Sequence, residues 1–128
     1  MTRREEAARL GRMGEQLVRQ ALERRGVEIL AANWHSPYGE LDLIAATPTH
    51  VRFIEVKTRT SDRYMEAREA VDAAKRRRIL LTAQCWLMKH HQEGRQPVFD
   101  VAEVYIRGEE HSIRYYANAF DAPPEDGD

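Results

Sequence analysis

The sequence predicts one α/β domain in which helices flank a mixed central β-sheet. Three observations support this fold class: a length of 128 residues, a composition of 42% hydrophobic and 32% charged residues, and apolar spacing that alternates between helical and strand-like segments. The length is that of one domain, and the composition is typical of a globular chain. We predict the element order αβββαββ, with one domain over residues 1–121 and a disordered acidic tail over residues 122–128.

The apolar spacing predicts two helices and five strands. Apolar residues at helical spacing predict a first helix from Arg3 to Arg25, which Gly26 ends. The same criterion predicts a long second helix from Ala70 to His91, which ends before Gly94. Strands are predicted at Val27 to Trp34, Leu41 to Ala46, Val51 to Thr58, Val98 to Ile106 and Ser112 to Tyr116.

Charge and composition exclude several classes of protein. The chain has 20 Lys and Arg against 21 Asp and Glu, which excludes a globally basic nucleic-acid binder. Residues 1–25 and 57–78 are nevertheless net basic and residues 99–128 net acidic, so one side of the molecule can be basic. The single cysteine, Cys85, excludes an internal disulfide and fits a reducing compartment. Because we find no apolar signal core and no membrane-spanning run, we expect a cytoplasmic protein without membrane association.

Two neighbouring predicted strands bring three charged residues to one face of the sheet. A four-residue turn that pairs Ala46 with Val51 also places Asp42 opposite Glu55, and Lys57 follows on the same face. Opposed carboxylates destabilise a sheet, by of order 4 kcal/mol at about 4 Å and an effective dielectric of about 20. A divalent cation such as Mg²⁺ offsets that repulsion because it prefers oxygen ligands. The lysine can then act on a metal-bound water or a phosphate oxygen.

The alternative for this motif is an exposed face with an ordinary ion pair. Apolar residues on both sides of the motif favour a central strand instead, and Asp is a poor strand former at such a position. Glu15 lies at the edge of the apolar stripe of the first helix, and Lys75 lies inside that of the second. Both can reach the same face of the sheet; otherwise they are a solvated glutamate and a lysine whose stem packs on apolar surface.

The other motifs are predicted to be mainly structural. Gly11 and Gly14 are embedded in a helical pattern, which favours close helix packing over a phosphate loop. Trp34 is predicted to lie in the core, with stacking on a nucleic-acid base as the alternative. Cys85 is predicted to be a buried, inert thiol.

Short motifs between residues 8 and 106 carry a family resemblance. They are Gly11-x-x-Gly14-Glu15, Ala32-Asn33-Trp34, Gly39-Glu40-Leu41-Asp42-Leu43-Ile44, Phe53-Ile54-Glu55-Val56-Lys57-Thr58-Arg59, Glu69-Ala70-Val71, Lys75 and Arg77-Arg78-Ile79. With them the chain resembles the YraN-like family of uncharacterised bacterial proteins, within the PD-(D/E)xK nuclease superfamily. That superfamily includes restriction endonucleases and archaeal Holliday-junction resolvases. The resemblance implies a restriction-endonuclease-like fold and a nuclease-like domain over residues 1–121.

The resemblance also implies metal-dependent hydrolysis of phosphodiesters. Asp42 and Glu55 would bind Mg²⁺ or Mn²⁺ with the backbone carbonyl of Val56, Lys57 would be the catalytic lysine, and Glu15 would match the helical acid of the resolvases. Glu40 has a weaker claim, as a residue that supports the ligands. The expected partner is nucleic acid, in particular branched or structured DNA, and a homodimer is expected by analogy with the two-fold symmetry of a four-way junction. The residues expected to bind nucleic acid are Arg59, Lys75, Arg76, Arg77 and Arg78.

Two functions without catalysis stay open at this point. A catalytically silent module of the nuclease fold would bind nucleic acid in a salt-sensitive manner through Arg76, Arg77 and Arg78. A protein-interaction domain would instead use its basic surface to bind an acidic partner.

Overall fold

The computed structural model describes residues 1–60 and 72–121, and in it a five-stranded sheet carries one helix on each face. The strands lie in the order β1-β2-β3-β4-β5, and all neighbours are antiparallel except β3 and β4, which are parallel. The predicted mixed α/β sheet and the order αβββαββ are confirmed, and both are consistent with a restriction-endonuclease-like fold. The elements are α1 Arg3–Arg24, β1 Glu28–Ser36, β2 Gly39–Ala46, β3 His50–Arg59, α2 Ala73–Lys89, β4 Gln96–Arg107 and β5 Glu110–Phe120.

Side-chain caps set where the two helices begin. Thr2 and Glu5 form a reciprocal capping box at the start of α1. Asp72 caps α2 by accepting a 2.8 Å hydrogen bond from the backbone N–H of Lys75. With Asp72 as its cap, the described helix begins at Ala73, whereas the predicted start at about Ala70 lies outside the described residues. Residues 61–71 and 122–128, with the Glu69-Ala70-Val71 motif and the predicted acidic tail, lie outside the described residues.

The hairpin between β2 and β3 has the predicted register. The backbone N–H of Thr47 donates a 2.9 Å hydrogen bond to the carbonyl of His50, which closes the turn. Ala46 pairs with Val51, and the paired register continues to Leu43 and Ile54. Regular pairing ends there, one residue before Asp42 and Glu55.

Each face of the sheet has its own apolar core. On the α2 face, Phe53 packs between Trp86 and Phe99, with ring centroids 5.9 Å and 5.5 Å away. Trp34, predicted to lie in the core, is half-buried and packs against the edge of this cluster. On the α1 face, Val18 packs with Leu22, Leu43, Ala45, Ile54, Ala102, Val104 and Ile106. Cys85 is half-buried rather than buried as predicted.

A buried carboxylate joins β3, β4 and β5 on the α1 face. Asp100 is fully buried and accepts hydrogen bonds from Arg52 at 2.9 Å and from the backbone N–H of Asn118 at 2.8 Å. The hydroxyl of Tyr115 donates to the same carboxylate. Asp100 is therefore satisfied by three donors, which is what makes a buried charge tolerable.

Helix α1 lies very close to β3 at Gly14. A Cβ atom at this position would lie 2.0 Å from Oγ1 of Thr58, so only glycine permits the approach. This confirms that Gly14 serves helix packing. Neither of the two described helices has a stretch long and apolar enough to cross a bilayer.

Candidate active site

An open cleft of about 250 Å³ lies where the regular pairing of β2 with β3 ends. Strand β2 forms one wall, β3 contributes Glu55, and the first turns of α2 form the other wall. The lining residues are Gly39, Glu40, Asp42, Glu55, Lys75, Arg78 and Ile79. The cleft therefore collects three carboxylates and two basic side chains on an otherwise apolar scaffold.

Asp42 is the most perturbed carboxyl group of the cleft. Burial and the neighbouring carboxyl of Glu55, which lies within hydrogen-bonding reach, raise the pKa of Asp42 to about 8. The backbone N–H of Val56 opposes this change by donating a 2.8 Å hydrogen bond to Oδ2 of Asp42. That bond replaces the missing ladder contact between the strands and fixes the direction of the carboxyl group.

Glu55 is held by two lysines from different elements. Nζ of Lys75, on α2, lies 2.6 Å from Oε1 of Glu55, and Nζ of Lys57, on β3, lies 3.4 Å from the same oxygen. Burial and the adjacent Lys75 lower the pKa of Lys57. Burial is the largest single effect on Lys75 and acts in the same direction, but the contacts with Glu55, Lys57 and Asp42 together outweigh it and raise the pKa of Lys75. Of the two lysines, Lys57 thus gives up a proton more easily.

Two further acids approach Asp42 from the open side. One carboxylate oxygen from each of Glu15, Glu40 and Asp42 lies within 4.8 Å of the others. Burial raises the pKa of Glu15, against the effect of a hydrogen bond from Asn33, and Glu40 and Glu55 raise it further. From the sequence we expected Glu40 only to support the metal ligands. Glu40 and Asp42 are two residues apart, and side chains with this spacing on a strand lie on the same face.

The close packing of α1 brings the carboxylate of Glu15 near Asp42. Gly14 lies against Thr58 of β3, and Glu15 is the next residue on the helix. A helix held farther from the sheet would carry the carboxylate of Glu15 away from Asp42. The glycine therefore has a consequence for the site as well as for packing.

The donor set fits a hard divalent cation. Asp42, Glu55, Glu15 and Glu40 offer carboxylate oxygens, which Mg²⁺ and Mn²⁺ prefer. Burial, followed by the neighbouring charge of Glu55, raises the pKa of Asp42 and so disfavours its charged form. A cation bound between these groups would supply a compensating positive charge. Val56, whose backbone carbonyl is the third predicted ligand, contacts Asp42 through its backbone N–H, and metal binding by its carbonyl stays a prediction.

The structure separates the predicted basic residues. Arg78 lines the cleft, whereas the guanidinium of Arg76 lies 5.4 Å from the ring centroid of Phe120. Arg77 is exposed on α2, and Arg59 is half-buried at the end of β3. Only Lys75 and Arg78 of this predicted set line the cleft.

Comparisons with known proteins agree on one family. The sequence model of the Uncharacterised protein family UPF0102 matches residues 14–104. A UPF0102 protein of Syntrophotalea carbinolica is 42% identical over 88% of this chain and 91% of its own length. Similar proteins from Mycolicibacterium vanbaalenii and Caldanaerobacter subterraneus are 43% and 37% identical over 83% and 87% of this chain, and over 88% and 93% of their own lengths. The expected YraN-like relationship is thereby confirmed, and the chain belongs to the UPF0102 family.

Proposed function

We propose that this protein is a Mg²⁺- or Mn²⁺-dependent nuclease that hydrolyses phosphodiester bonds of DNA, with branched or structured DNA as the favoured substrate class. One observation carries the proposal: the half-buried carboxyl of Asp42 on β2 lies beside the buried carboxyl of Glu55 on β3, and Lys57 of β3 contacts Glu55. Structural needs alone give no reason to bury two acids side by side, since their charges repel. A cation and a polyanionic substrate give such a reason.

The chain's own residues divide the work as follows. Asp42 and Glu55 would hold the cation, with Glu15 and Glu40 supporting it from the open side. A divalent cation supplies charge neutralisation at the phosphate and lowers the pKa of water. Lys57, whose pKa is lowered, would take a proton from the attacking water, and the leaving oxygen would receive its proton from solvent. Arg78, at the wall of the cleft, would contact a substrate phosphate.

Cleavage of defined DNA substrates tests the proposal. A four-way junction, a single strand and a duplex are incubated with wild type, Asp42→Asn and Asp121→Asn in Mg²⁺ or Mn²⁺. Asn at position 42 keeps an oxygen that can accept the Val56 bond but removes the charge, so we expect cleavage to fall at least about 100-fold. Asp121 is exposed beyond β5 and is the matched control, which should cleave like wild type. Equal inactivity of all three proteins on every substrate would exclude catalysis.

One observation favours a second candidate, a nucleic-acid-binding module without catalysis. Lys75 and Lys57 already contact Glu55 as ion pairs, so part of the negative charge is balanced without a cation. Such a module would bind DNA with strong salt dependence. Binding would survive Asp42→Asn and Glu55→Gln, and none of the three DNA substrates would be cleaved.

A further inference from the structure

Asn33 has a backbone conformation that strands rarely adopt. Its φ is 50°, and Asn118 at 51° is the other positive-φ residue besides glycine within residues 1–60 and 72–121. Such left-handed residues cost of order 1 kcal/mol, least for Asn. The strand alternation is broken here, because Ala31 and Trp34, three residues apart, both pack against the α2-face core.

The partner strand β2 has a matching irregularity. Ala32 pairs with Leu43 and Trp34 pairs with Leu41, so Asn33 lies opposite Asp42. Leu41 packs on the α2 face and Leu43 on the α1 face, although regular alternation would place both on one side. The break in both strands therefore falls at the position that supplies Asp42.

The side chain of Asn33 has a specific contact there. Its Nδ2 donates a 2.8 Å hydrogen bond to Oε1 of Glu15, which comes from α1. Among the described residues, Asn33 is the side chain that donates a hydrogen bond to the Glu15 carboxylate. Glu15 is close to Glu40 and Asp42, whose charges repel it, and a glutamate has three side-chain torsions with which to turn towards solvent.

We propose that Asn33 is a positioning residue whose amide holds the carboxylate of Glu15 towards Asp42, so that both can bind one divalent cation. The proposal rests on the metal site of the proposed function. The bond offsets the tendency of Glu15 to leave the acidic group, and the left-handed backbone aims the amide at α1. Residues that orient a metal ligand typically change metal affinity 10–100-fold when removed.

Glycine substitutions separate this role from a purely conformational one. Asn33→Gly permits the left-handed backbone but lacks the amide. Asn118→Gly is the matched control, because Asn118 has the same φ and contacts Asp100 through its backbone N–H, which glycine keeps. Both variants pay a similar entropic cost in the unfolded chain, so only the loss of the amide distinguishes them.

The test is a double-mutant cycle on Mn²⁺ affinity, measured by isothermal titration calorimetry without DNA. The proteins are wild type, Asn33→Gly, Glu15→Gln, the double variant and Asn118→Gly. We expect Asn33→Gly to weaken Mn²⁺ binding by about 10-fold, Asn118→Gly to leave it within twofold, and Asn33→Gly to have no added effect when Glu15 is already Gln.

The remaining outcomes distinguish failure of the Asn33 role from failure of the metal site itself. Wild-type affinity in Asn33→Gly, or an equal loss in the Glu15→Gln background, overturns the role of Asn33 and leaves the metal site standing. Failure of wild type to bind Mn²⁺ overturns the metal site and this proposal together.

Discussion

Gly14 of α1 and Thr58 of β3 lie so close that a Cβ at position 14 would be 2.0 Å from the threonine hydroxyl oxygen. We expect Gly14→Ala to lower the free energy of unfolding by about 1–3 kcal/mol, because overpacking must displace the helix or the strand. Gly11, on the same helix, has open space around its Cβ position. Gly11→Ala should therefore stabilise the protein by up to about 1 kcal/mol.

Urea unfolding of both variants checks this contrast. Thr58→Ala in the Gly14→Ala background removes the nearest atom and should recover part of the loss. Equal effects of the two glycine substitutions would contradict the close approach.

The raised pKa of Asp42 makes the metal-free protein less stable as pH rises. The folded state holds this proton more tightly than the unfolded chain, because the folded pKa is about 8 against an ordinary value of 3.8. The stabilisation is fully present below the unfolded value and is lost as pH rises through about 8, with a slope of at most about 1.4 kcal/mol per pH unit.

Urea unfolding in EDTA at pH 5, 6.5 and 8 measures this slope for wild type and Asp42→Asn. The variant lacks the titrating group, so its curve should be flatter over this interval. Parallel curves for the two proteins would show that Asp42 titrates normally.

The Asp100 cluster should dominate stability on the α1 face. Asp100→Ala removes a fully buried partner of Arg52 and Tyr115, and we expect a loss of about 3–5 kcal/mol. Tyr115→Phe removes one of three donors and should cost about 1–2 kcal/mol.

Thermal and urea unfolding measure both changes. The surface pair Arg9–Glu6 is the matched control, since its side chains are 44% and 43% exposed, and Glu6→Ala should change stability by under about 1 kcal/mol. Burial also raises the pKa of Tyr115. The stability that its hydrogen bond with Asp100 contributes should therefore be lost only in strongly alkaline solution, as the pH approaches the pKa of Tyr115 in the folded protein.

The arginines of α2 should contribute unequally to DNA binding. Arg78 lines the cleft and Arg77 is exposed away from it. We expect Arg78→Ala to weaken binding to intact DNA by about 3–10-fold. The slope of the logarithm of the binding constant against the logarithm of the salt concentration should also decrease in magnitude by about one.

Fluorescence anisotropy at several salt concentrations, with Asp42→Asn as the uncleaving background, measures this difference. Arg77→Ala, made in the same background, should have the smaller effect. If Arg77 proved the more important residue, the substrate would run along the outer face of α2 instead of through the cleft.

Much of the site geometry was predictable because strand periodicity and a short turn fix a register. The pairing of Ala46 with Val51 determined which residues face each other, and the pairing as far as Leu43 and Ile54 follows it. The position of Lys75 inside an apolar stripe likewise indicated a side chain directed at the sheet. The expected homodimer, cytoplasmic location and nucleic-acid partner stay predictions.

Other features depend on tertiary contacts that periodicity does not encode. The left-handed conformation of Asn33 breaks the two-residue alternation from which the sheet faces were predicted, and no local sequence pattern predicts this conformation. The ion pair of Lys75 with Glu55 was not predicted, since only the packing of α2 sets that distance, and its contact with nucleic acid stays a prediction. Asp72 could have been recognised as a helix cap from the sequence, because Asp is favoured there.

Strand β3 carries different charged groups on its two faces: Arg52 contacts Asp100 on the α1 face, while Glu55, which lines the cleft, pairs with Lys57 on the α2 face. A slip of one residue during folding would exchange them, forcing a guanidinium among aromatic rings and leaving Asp100 without its cation. Misaligned forms of this sheet are thus destabilised by misplaced charge as well as by lost apolar contacts, so the charged residues of β3 help to select the correct strand register during folding.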